Sequence, residues 1–286
     1  MTDYFKSIRP FNDNEVARAL SQIKDNPLIR AMMAYAFPDE TPEERERRLL
    51  ACQKVSDFQE DIMYQVVTKA IEKSISEFTC DGFDGLDPRK AYVFVSNHRD
   101  IVLDTSLLNV ALYDNHLSMT ASAMGDNLLR KKYLKILAML NRNIIIYRSL
   151  PPREALEHSK LVSEYIYHCI TEEHRNVWIA QREGRTKNGD DRTQQGVLKM
   201  LTLNAPEDIS PLQYLKTLNL VPMSISYEFD PTDVLKLPAL IAQHNGVEYV
   251  KSKKEDFENI IQGLLGQKGR VHISVGQPLY EEIEAI

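Results

Sequence analysis

The spacing of apolar side chains changes about a quarter of the way along the chain. In residues 1–80 they recur at helical spacing, which predicts helices beginning near residues 12, 27 and 41, the last a long amphipathic helix ending near residue 78. From residue 92, short runs rich in β-branched and aromatic residues alternate with helical segments. The change predicts an N-terminal helical region over residues 1–80 and a second domain over residues 81–286, divided at the Gly82 and Gly85 turns.

The second domain is predicted to be an α/β fold with a mixed, largely parallel sheet flanked by helices, because strands and helices alternate along it. The predicted strands are Tyr92–Ser96, Leu117–Ala121, Asn143–Tyr147, Val177–Ala180, Val221–Ser226 and His272–Val275. The predicted helices between them are Thr105–Leu112, Lys131–Leu140, Pro152–Glu172 and Gly196–Leu203. Only short secondary-structure elements are predicted in residues 229–245, because Pro231 and Pro238 interrupt the segment.

One N-terminal segment is apolar around much of its circumference. Residues 28–37, LIRAMMAYAF, form it. It could dip into a membrane interface or line an acyl-chain groove. Because most such stripes belong to a protein core, packing against the main domain is the favoured hypothesis.

A histidine follows the first predicted strand of the second domain. His98 comes after residues 92–96 and before an apolar helical pattern, with Asp100 and Asp104 close behind it. A histidine held and polarised by a carboxylate can act as a general base near neutral pH. It can also do no more than satisfy a turn, and the spacing alone leaves both interpretations open.

Three later stretches carry candidate binding residues. NIIIYR ends a predicted buried strand with Arg148, and QREGRTKNG places Arg185 and Lys187 in a glycine-containing loop. Guanidinium groups bind phosphate through paired N–H donors, and glycines let a backbone approach an anion. LVPMSISYEF predicts a strand with Pro222 near its start, as expected of an edge strand or of the first residues of a strand.

Composition narrows the possible partners and location. The net charge of −6 argues against general nucleic-acid binding, which favours a basic surface. The 3 cysteines are widely spaced and form no metal-ligand pair, as is typical of a reducing cytoplasm. The N-terminal residues lack the apolar core of a signal peptide, and no apolar run is long enough to span a bilayer. We therefore expect a cytoplasmic protein that meets a membrane only at its surface.

Taken together, four blocks resemble the glycerolipid acyltransferase family, the glycerol-3-phosphate and 1-acylglycerol-3-phosphate (lysophosphatidate) acyltransferases. NHRDIVLD looks like the family's histidine–aspartate block, and NIIIYR looks like its strand ending in a basic residue. GRTKNG is similar to the basic half of its glycine–arginine block, and VPMSISY looks like its proline-bearing strand. The resemblance covers about residues 83–278, and four blocks in order are more specific than any one of them.

The first block departs from the family pattern in its spacing. The family has four residues between histidine and aspartate, whereas five separate His98 from Asp104. Either the turn bulges by one residue and Asp104 still reaches the ring, or Asp100 has taken the role. Asp104 is favoured because it begins the helical register that follows the family aspartate, and Asp100 stays open.

The third block departs in its acidic half. Arg182 stands where the family has a glutamate, and Glu183 directly precedes Gly184. Arg185 is therefore the safer assignment, and the role of Glu183 stays open.

The resemblance implies transfer of a fatty acyl group from acyl-CoA or acyl-carrier protein to the hydroxyl of a lysophosphatidate or of glycerol-3-phosphate in phospholipid synthesis. It implies no cofactor, no metal and no covalent acyl-enzyme, with His98 as general base and Asp104 holding its ring. The implied substrate-binding residues are Arg148, Glu183, Gly184, Arg185, Lys187 and Pro222. The protein would work peripherally on the inner face of the cell membrane.

Other functions stay open at this stage. If the inserted residue disables the dyad, the chain would be a non-catalytic lysolipid-binding relative. A hydrolase would use the same pair to activate water, although the basic block argues against it because water needs no phosphate clamp. The acceptor could also be a non-phosphate lipid such as an acylated amino acid, and lysophosphatidate ranks first only on chain size.

Overall fold

A computed structural model describes residues 4–252 and 254–284. Within them seven strands form a sheet in the order β1-β7-β6-β2-β5-β3-β4. Neighbouring strands pair in parallel except β6 and β7, which are antiparallel, so the predicted mixed, largely parallel sheet is confirmed. The strands are β1 Ile75–Asp81, β2 Val93–Ser96, β3 Ala121–Gly125, β4 Asn143–Ile146, β5 Val177–Ala180, β6 Leu220–Tyr227 and β7 Gly269–Val275.

Helices cover both faces of this sheet. Successive strand residues point to opposite faces, so Val93 and Phe94 of β2 belong to two different apolar clusters. The cluster around Phe94 packs under α5 and α6, and the cluster around Val93 packs under α8 and α10. The helices are α1 Asp13–Ile23, α2 Pro27–Ala36, α3 Pro42–Ala51, α4 Val55–Asp57, α5 Tyr64–Ser74, α6 Leu103–Asp114, α7 Lys132–Leu140, α8 Pro152–Thr171, α9 Gln195–Leu201, α10 Pro211–Thr217, α11 Asp233–His244, α12 Glu255–Leu265 and α13 Glu281–Glu284.

The first three helices begin where the sequence predicted. The side chain of Asn26 accepts a hydrogen bond from the Leu28 N–H at 2.9 Å, and Thr41 and Glu44 cap α3 reciprocally. α2 buries Ile29 and Met33 in a cluster that includes side chains of α1 and α7. This packing supports the hypothesis that residues 28–37 belong to the core.

The single long helix predicted after residue 41 is wrong in two places. α3 ends at Ala51, where the Asp57 carboxylate accepts from the backbone of Gln53 and Lys54 and starts a new helix. A π-helical stretch, Phe58–Met63, joins α4 to α5. The helix then ends at Ser74, and the next residues form β1, because pairing with β7 outweighs their local preference. The region before residue 80 therefore contributes an edge strand to the sheet.

Three other expectations differ from the structure. The strand predicted at 117–121 begins only at Ala121, since Thr120 donates its N–H to the side chain of Asn109 on α6. β6 lies between β7 and β2, so the edge-strand interpretation of Pro222 is wrong. The alternative, a position among the first residues of a strand, is confirmed, and pairing with β7 begins just after it, at Met223. Residues 229–245 contain α11 with Pro238 inside it. α10 and α12 were not predicted.

Across the residues that the structure describes, no helix combines the length and apolar character needed to cross a membrane.

Candidate active site

The loops after five strands meet at one edge of the sheet. β2, β3, β4, β5 and β6 run in the same direction, so their carboxyl ends lie side by side. Ligands of open α/β sheets bind outside these ends. His98 follows β2, Arg148 follows β4 and the loop of residues 181–189 follows β5. Blocks that are distant in the sequence are therefore neighbours in space.

His98 and Asp104 form a hydrogen-bonded pair. The Nδ1 atom of His98 lies 2.7 Å from Oδ2 of Asp104, and the Asp104 side chain is fully buried. In a neutral ring, donation to this carboxylate places the proton on Nδ1 and leaves a lone pair on Nε2. The indole of Trp178 meets the imidazole edge-on, with ring centroids 5.3 Å apart, and fixes the ring from another side.

The extra residue between His98 and Asp104 is absorbed by the turn that joins β2 to α6. The backbone N–H groups of Arg99 and Asp100 both donate to Asp104 Oδ2, at 2.6 and 3.0 Å. The turn thus folds around the carboxylate instead of moving it away from the imidazole.

Asp100 has a different place in this turn. Its Oδ1 accepts from the N–H groups of Val102 and Leu103 at 2.9 and 2.8 Å, which satisfies donors at the start of α6. Burial, followed by the charge of Asp104, raises the pKa of the Asp100 carboxyl. The ring contact belongs to Asp104, and Asp100 supports the helix start.

Tyr227 also contacts the pair, and the sequence analysis did not identify it. Its hydroxyl donates to Oδ1 of Asp104 at 2.8 Å, from the last residue of β6. Burial and the nearby carboxylates raise the pKa of Tyr227 well above its usual value, so the hydroxyl stays a donor. Its position in VPMSISY, at the carboxyl end of a parallel strand, was the available signal.

A mainly apolar cleft of about 420 Å³ opens beside His98. Its walls come from the ends of β3, β4 and β5 and from α8 and α9. The side chain of His158 on α8 accepts the Tyr147 N–H at 2.9 Å, and burial lowers the pKa of this histidine. Apolar residues along the cleft include Ile101, Met124, Leu128, Ile146, Val162, Ile179, Val197 and Met200.

A second, polar cleft of about 530 Å³ shares His98 with the first. Arg185 is held there by α12, since its guanidinium donates to the side chain of Asn259 at 3.0 Å. Gly184 has a φ of +69°, which suits glycine in the tight turn before Arg185. The cleft contains five of the predicted binding residues: Arg148, Glu183, Gly184, Arg185 and Lys187.

Pro222 is the predicted binding residue that the structure does not bring to the site. It does not line either cleft, and it lies within β6, paired in register with Val95. Its carbonyl accepts the Gly276 N–H at 2.8 Å. Pro222 therefore packs at the β6–β7 junction instead of shaping the wall beside His98.

The histidine loop is held by two other segments of the chain. The Thr186 N–H donates to the His98 carbonyl at 2.9 Å, and Asp191 pairs with Arg99. Lys236 of α11 donates to the Arg99 carbonyl at 3.1 Å. These contacts fix the backbone on which the imidazole stands, and none of them was predicted from the sequence.

Comparison with known proteins gives a family match. Residues 77–226, slightly more than half of the chain, match the family model described as Acyltransferase. The chain is similar to the crystal structure of the 1-acyl-sn-glycerophosphate (LPA) acyltransferase PlsC from Thermotoga maritima, at 9% identity and a TM-score of 0.44. That similarity covers 94% of this chain and 90% of PlsC. No curated protein sequence matches.

Proposed function

Because the chain belongs to the acyltransferase family, we propose that it moves a fatty acyl group from an acyl thioester to the hydroxyl of a lysophosphatidate or of glycerol-3-phosphate. The observation that carries this proposal is the position of His98, which lines both the apolar and the polar cleft. A fatty acyl chain requires apolar surroundings and an anionic headgroup requires cations. The reacting atoms of donor and acceptor would therefore meet at this histidine.

In the proposed reaction His98 is the general base. Nε2 takes the proton of the acceptor hydroxyl while the oxygen attacks the thioester carbonyl. A C–O bond forms, the C–S bond breaks, and the same proton passes from His98 to the thiolate that leaves. Asp104 keeps the ring in the required tautomer and stabilises the imidazolium that forms in between.

The cations of the polar cleft would position the acceptor. Arg185 uses one N–H on Asn259, and a guanidinium carries five, so it keeps donors for a phosphate oxygen. Arg148 and Lys187 line the same cleft and add positive charge. Holding the phosphate here fixes the hydroxyl near Nε2, and such positioning lowers the entropic part of the barrier.

The donor would be acyl-CoA or acyl-carrier protein, with its chain in the apolar cleft and the enzyme at the inner face of the cell membrane. The alternative is a relative that binds lysolipid without catalysing transfer. That alternative requires the inserted residue to have separated His98 from its aspartate. The 2.7 Å contact between His98 and Asp104 favours catalysis over that alternative.

Acyl transfer to a panel of acceptors tests the proposal. A labelled acyl thioester is offered with glycerol-3-phosphate, lysophosphatidate and a neutral lysolipid, for wild type and Arg185→Gln. We expect transfer to a phosphate acceptor, with KM for that acceptor raised about tenfold in Arg185→Gln because one charge-assisted contact is lost. Arg153→Gln, an exposed cation on α8 outside both clefts, is the control and leaves KM unchanged. Equal transfer to the neutral lysolipid, or release of free fatty acid without an acceptor, contradicts the proposal.

A further inference from the structure

Exposed apolar side chains concentrate in one segment between β6 and β7. Of the 12 large apolar side chains that are exposed in the described chain, eight lie in residues 229–265. Single exposed apolar residues are ordinary, whereas a contiguous group marks an interaction site. The eight are Phe229, Val234, Leu237, Ile241, Val247, Val250, Phe257 and Leu265.

α11 has two unlike faces. Val234, Leu237 and Ile241 are spaced so that they share one side of the helix, and all three are exposed. On the other side Lys236 is only 3% exposed and donates to the Arg99 carbonyl, one residue after His98. The helix is thus fixed to the histidine loop through its polar side and presents its apolar side to the surroundings.

The same segment forms part of the rim of the polar cleft. Gln243 of α11, Lys251 of the following loop and Asp256 of α12 line that cleft. Their sequence neighbours Val250 and Phe257 are exposed instead, at 82% and 41%. Exposed apolar side chains and residues that line the cleft are therefore neighbours along this segment.

Cations stand next to this apolar group. Arg130, Lys131 and Lys132 are consecutive and exposed at the start of α7. The Lys131 ammonium lies 5.9 Å from the centroid of the Phe257 ring, so this basic run borders the apolar side chains. In a chain of net charge −6, three adjacent cations are a local exception that favours an anionic partner.

We propose that six of the eight exposed apolar side chains, together with the basic run, form a docking surface for an anionic phospholipid membrane. The docking surface comprises Val234, Leu237, Ile241, Val247, Val250, Phe257 and the basic run of residues 130–132. The proposal rests on the proposed function, because a lipid acceptor is what brings the cleft to a membrane. Aliphatic side chains enter the boundary between headgroups and acyl chains, and the cations pair with anionic headgroups. The acceptor then reaches His98 from the bilayer without crossing water.

Vesicle cosedimentation tests the docking surface without any turnover. Sucrose-loaded vesicles of phosphatidylglycerol and phosphatidylcholine in equal amounts are mixed with wild type and with the combined Val234→Ser, Leu237→Ser, Ile241→Ser variant. We expect wild type to bind and this variant to lose binding by at least about tenfold, since three aliphatic side chains no longer enter the bilayer. Replacing all three residues of the basic run by Gln lowers binding to these vesicles and leaves binding to pure phosphatidylcholine unchanged.

Matched controls separate docking from folding and from catalysis. The double variant Tyr113→Ser, Leu212→Ser removes exposed apolar side chains outside the docking surface and binds vesicles as wild type does. Acyl transfer to a short-chain acceptor dissolved as monomers stays at the wild-type rate in the α11 variant, which shows that its site is intact. If all forms lack transfer but differ in vesicle binding as expected, the proposed function fails and the docking surface stands.

Three results overturn the docking proposal. One is wild-type protein that binds no vesicle, and another is an α11 variant that binds as wild type does. The third is a wild-type dimer that becomes a monomer in the α11 variant, because a second copy of the chain is then what covers the surface.

Discussion

The carboxylate of Asp104 receives four hydrogen bonds, and they explain why an irregular spacing still brings the carboxylate to the imidazole. Oδ2 accepts from the His98 ring and from the N–H groups of Arg99 and Asp100, and Oδ1 accepts from Tyr227. A carboxylate held by donors on both oxygens cannot rotate away from the imidazole. Two of the donors, the N–H groups of Arg99 and Asp100, belong to the backbone of the turn itself.

Tyr227→Phe removes one of these four donors and nothing else. We expect kcat to fall about tenfold with KM little changed, because Asp104 then orients the imidazole less tightly. Tyr280→Phe is the control: it deletes a hydroxyl that binds Asn219 away from the clefts. Steady-state kinetics of both variants check this, and equal rates for Tyr227→Phe and wild type contradict the positioning role.

Asp100→Asn separates the two aspartates. Burial raises the pKa of Asp100, so the folded state holds its proton more tightly than the unfolded state does, and stability falls as pH rises above the ordinary pKa of 3.8. Asparagine is neutral and keeps an oxygen for the α6 N–H groups. The variant is therefore expected to be more stable than wild type at pH 7, with the difference fading below the ordinary pKa, and to keep its activity. The free energy of unfolding in urea, determined for both proteins at pH 7 and below pH 3.8, measures this difference. A variant that is less stable than wild type at pH 7 contradicts the prediction.

At this scale the sequence predicted the two residues of the proposed dyad but not the contacts that support them. His98 and Asp104 could be identified from the sequence because both lie in one short block. Tyr227, Thr186 and Lys236 approach the same loop from three later segments, and a pairing between segments so far apart leaves no local pattern to detect.

Among the elements, α12 packs closely on the histidine turn at Gly263. A Cβ on Gly263 would lie 2.0 Å from Oδ2 of Asp100, a buried carboxylate whose Oδ1 is held by the start of α6. Gly263 thus lets α12 approach the histidine turn, and Asn259 of the same helix holds Arg185 of the loop after β5.

Gly263→Ala is expected to lower the free energy of unfolding by about 1–3 kcal/mol, because the added methyl overpacks a buried contact. Gly196→Ala in α9 is the matched control. No atom lies within 4 Å of its added Cβ, so alanine there raises stability by about 0.5–1 kcal/mol through helix propensity. Chemical denaturation measures the free energy of unfolding of both variants. Equal changes in that free energy for the two substitutions would rule out the close contact at Gly263.

Elements with a strong local signal were predicted well, and elements made by tertiary contacts were not. β5 and the first residues of α2 and α3 match the expectation, since hydrophobic period and helix-start residues are local signals. The first residues of β1, 75–78, were assigned to a helix because the strand character of β1 depends on pairing with β7, nearly two hundred positions later. α11 was missed because Pro238 signalled a break, although the proline lies on the exposed side of the helix.

For the whole molecule, the sheet direction turns a set of separated blocks into one site. Five strands end at the same edge, and the segment between β6 and β7 closes over that edge with α11 and α12. The order of the blocks could be read from the sequence. The side of the polar cleft formed by Gln243, Lys251 and Asp256 could not, because these residues match no block of the family pattern. The predicted division at residue 80 stays a prediction, and the sheet itself starts at Ile75.

The most direct test of the account is the single-turnover rate of acyl transfer, measured for wild type, His98→Ala, Asp104→Asn and Asp100→Asn with saturating lysophosphatidate. We expect the rate to fall by about 10²–10⁴-fold in His98→Ala and substantially in Asp104→Asn, because proton transfer and ring orientation are lost. Asp100→Asn is expected to stay within a few-fold of wild type. Transfer that survives His98→Ala, or that depends on Asp100 and not on Asp104, would contradict the account.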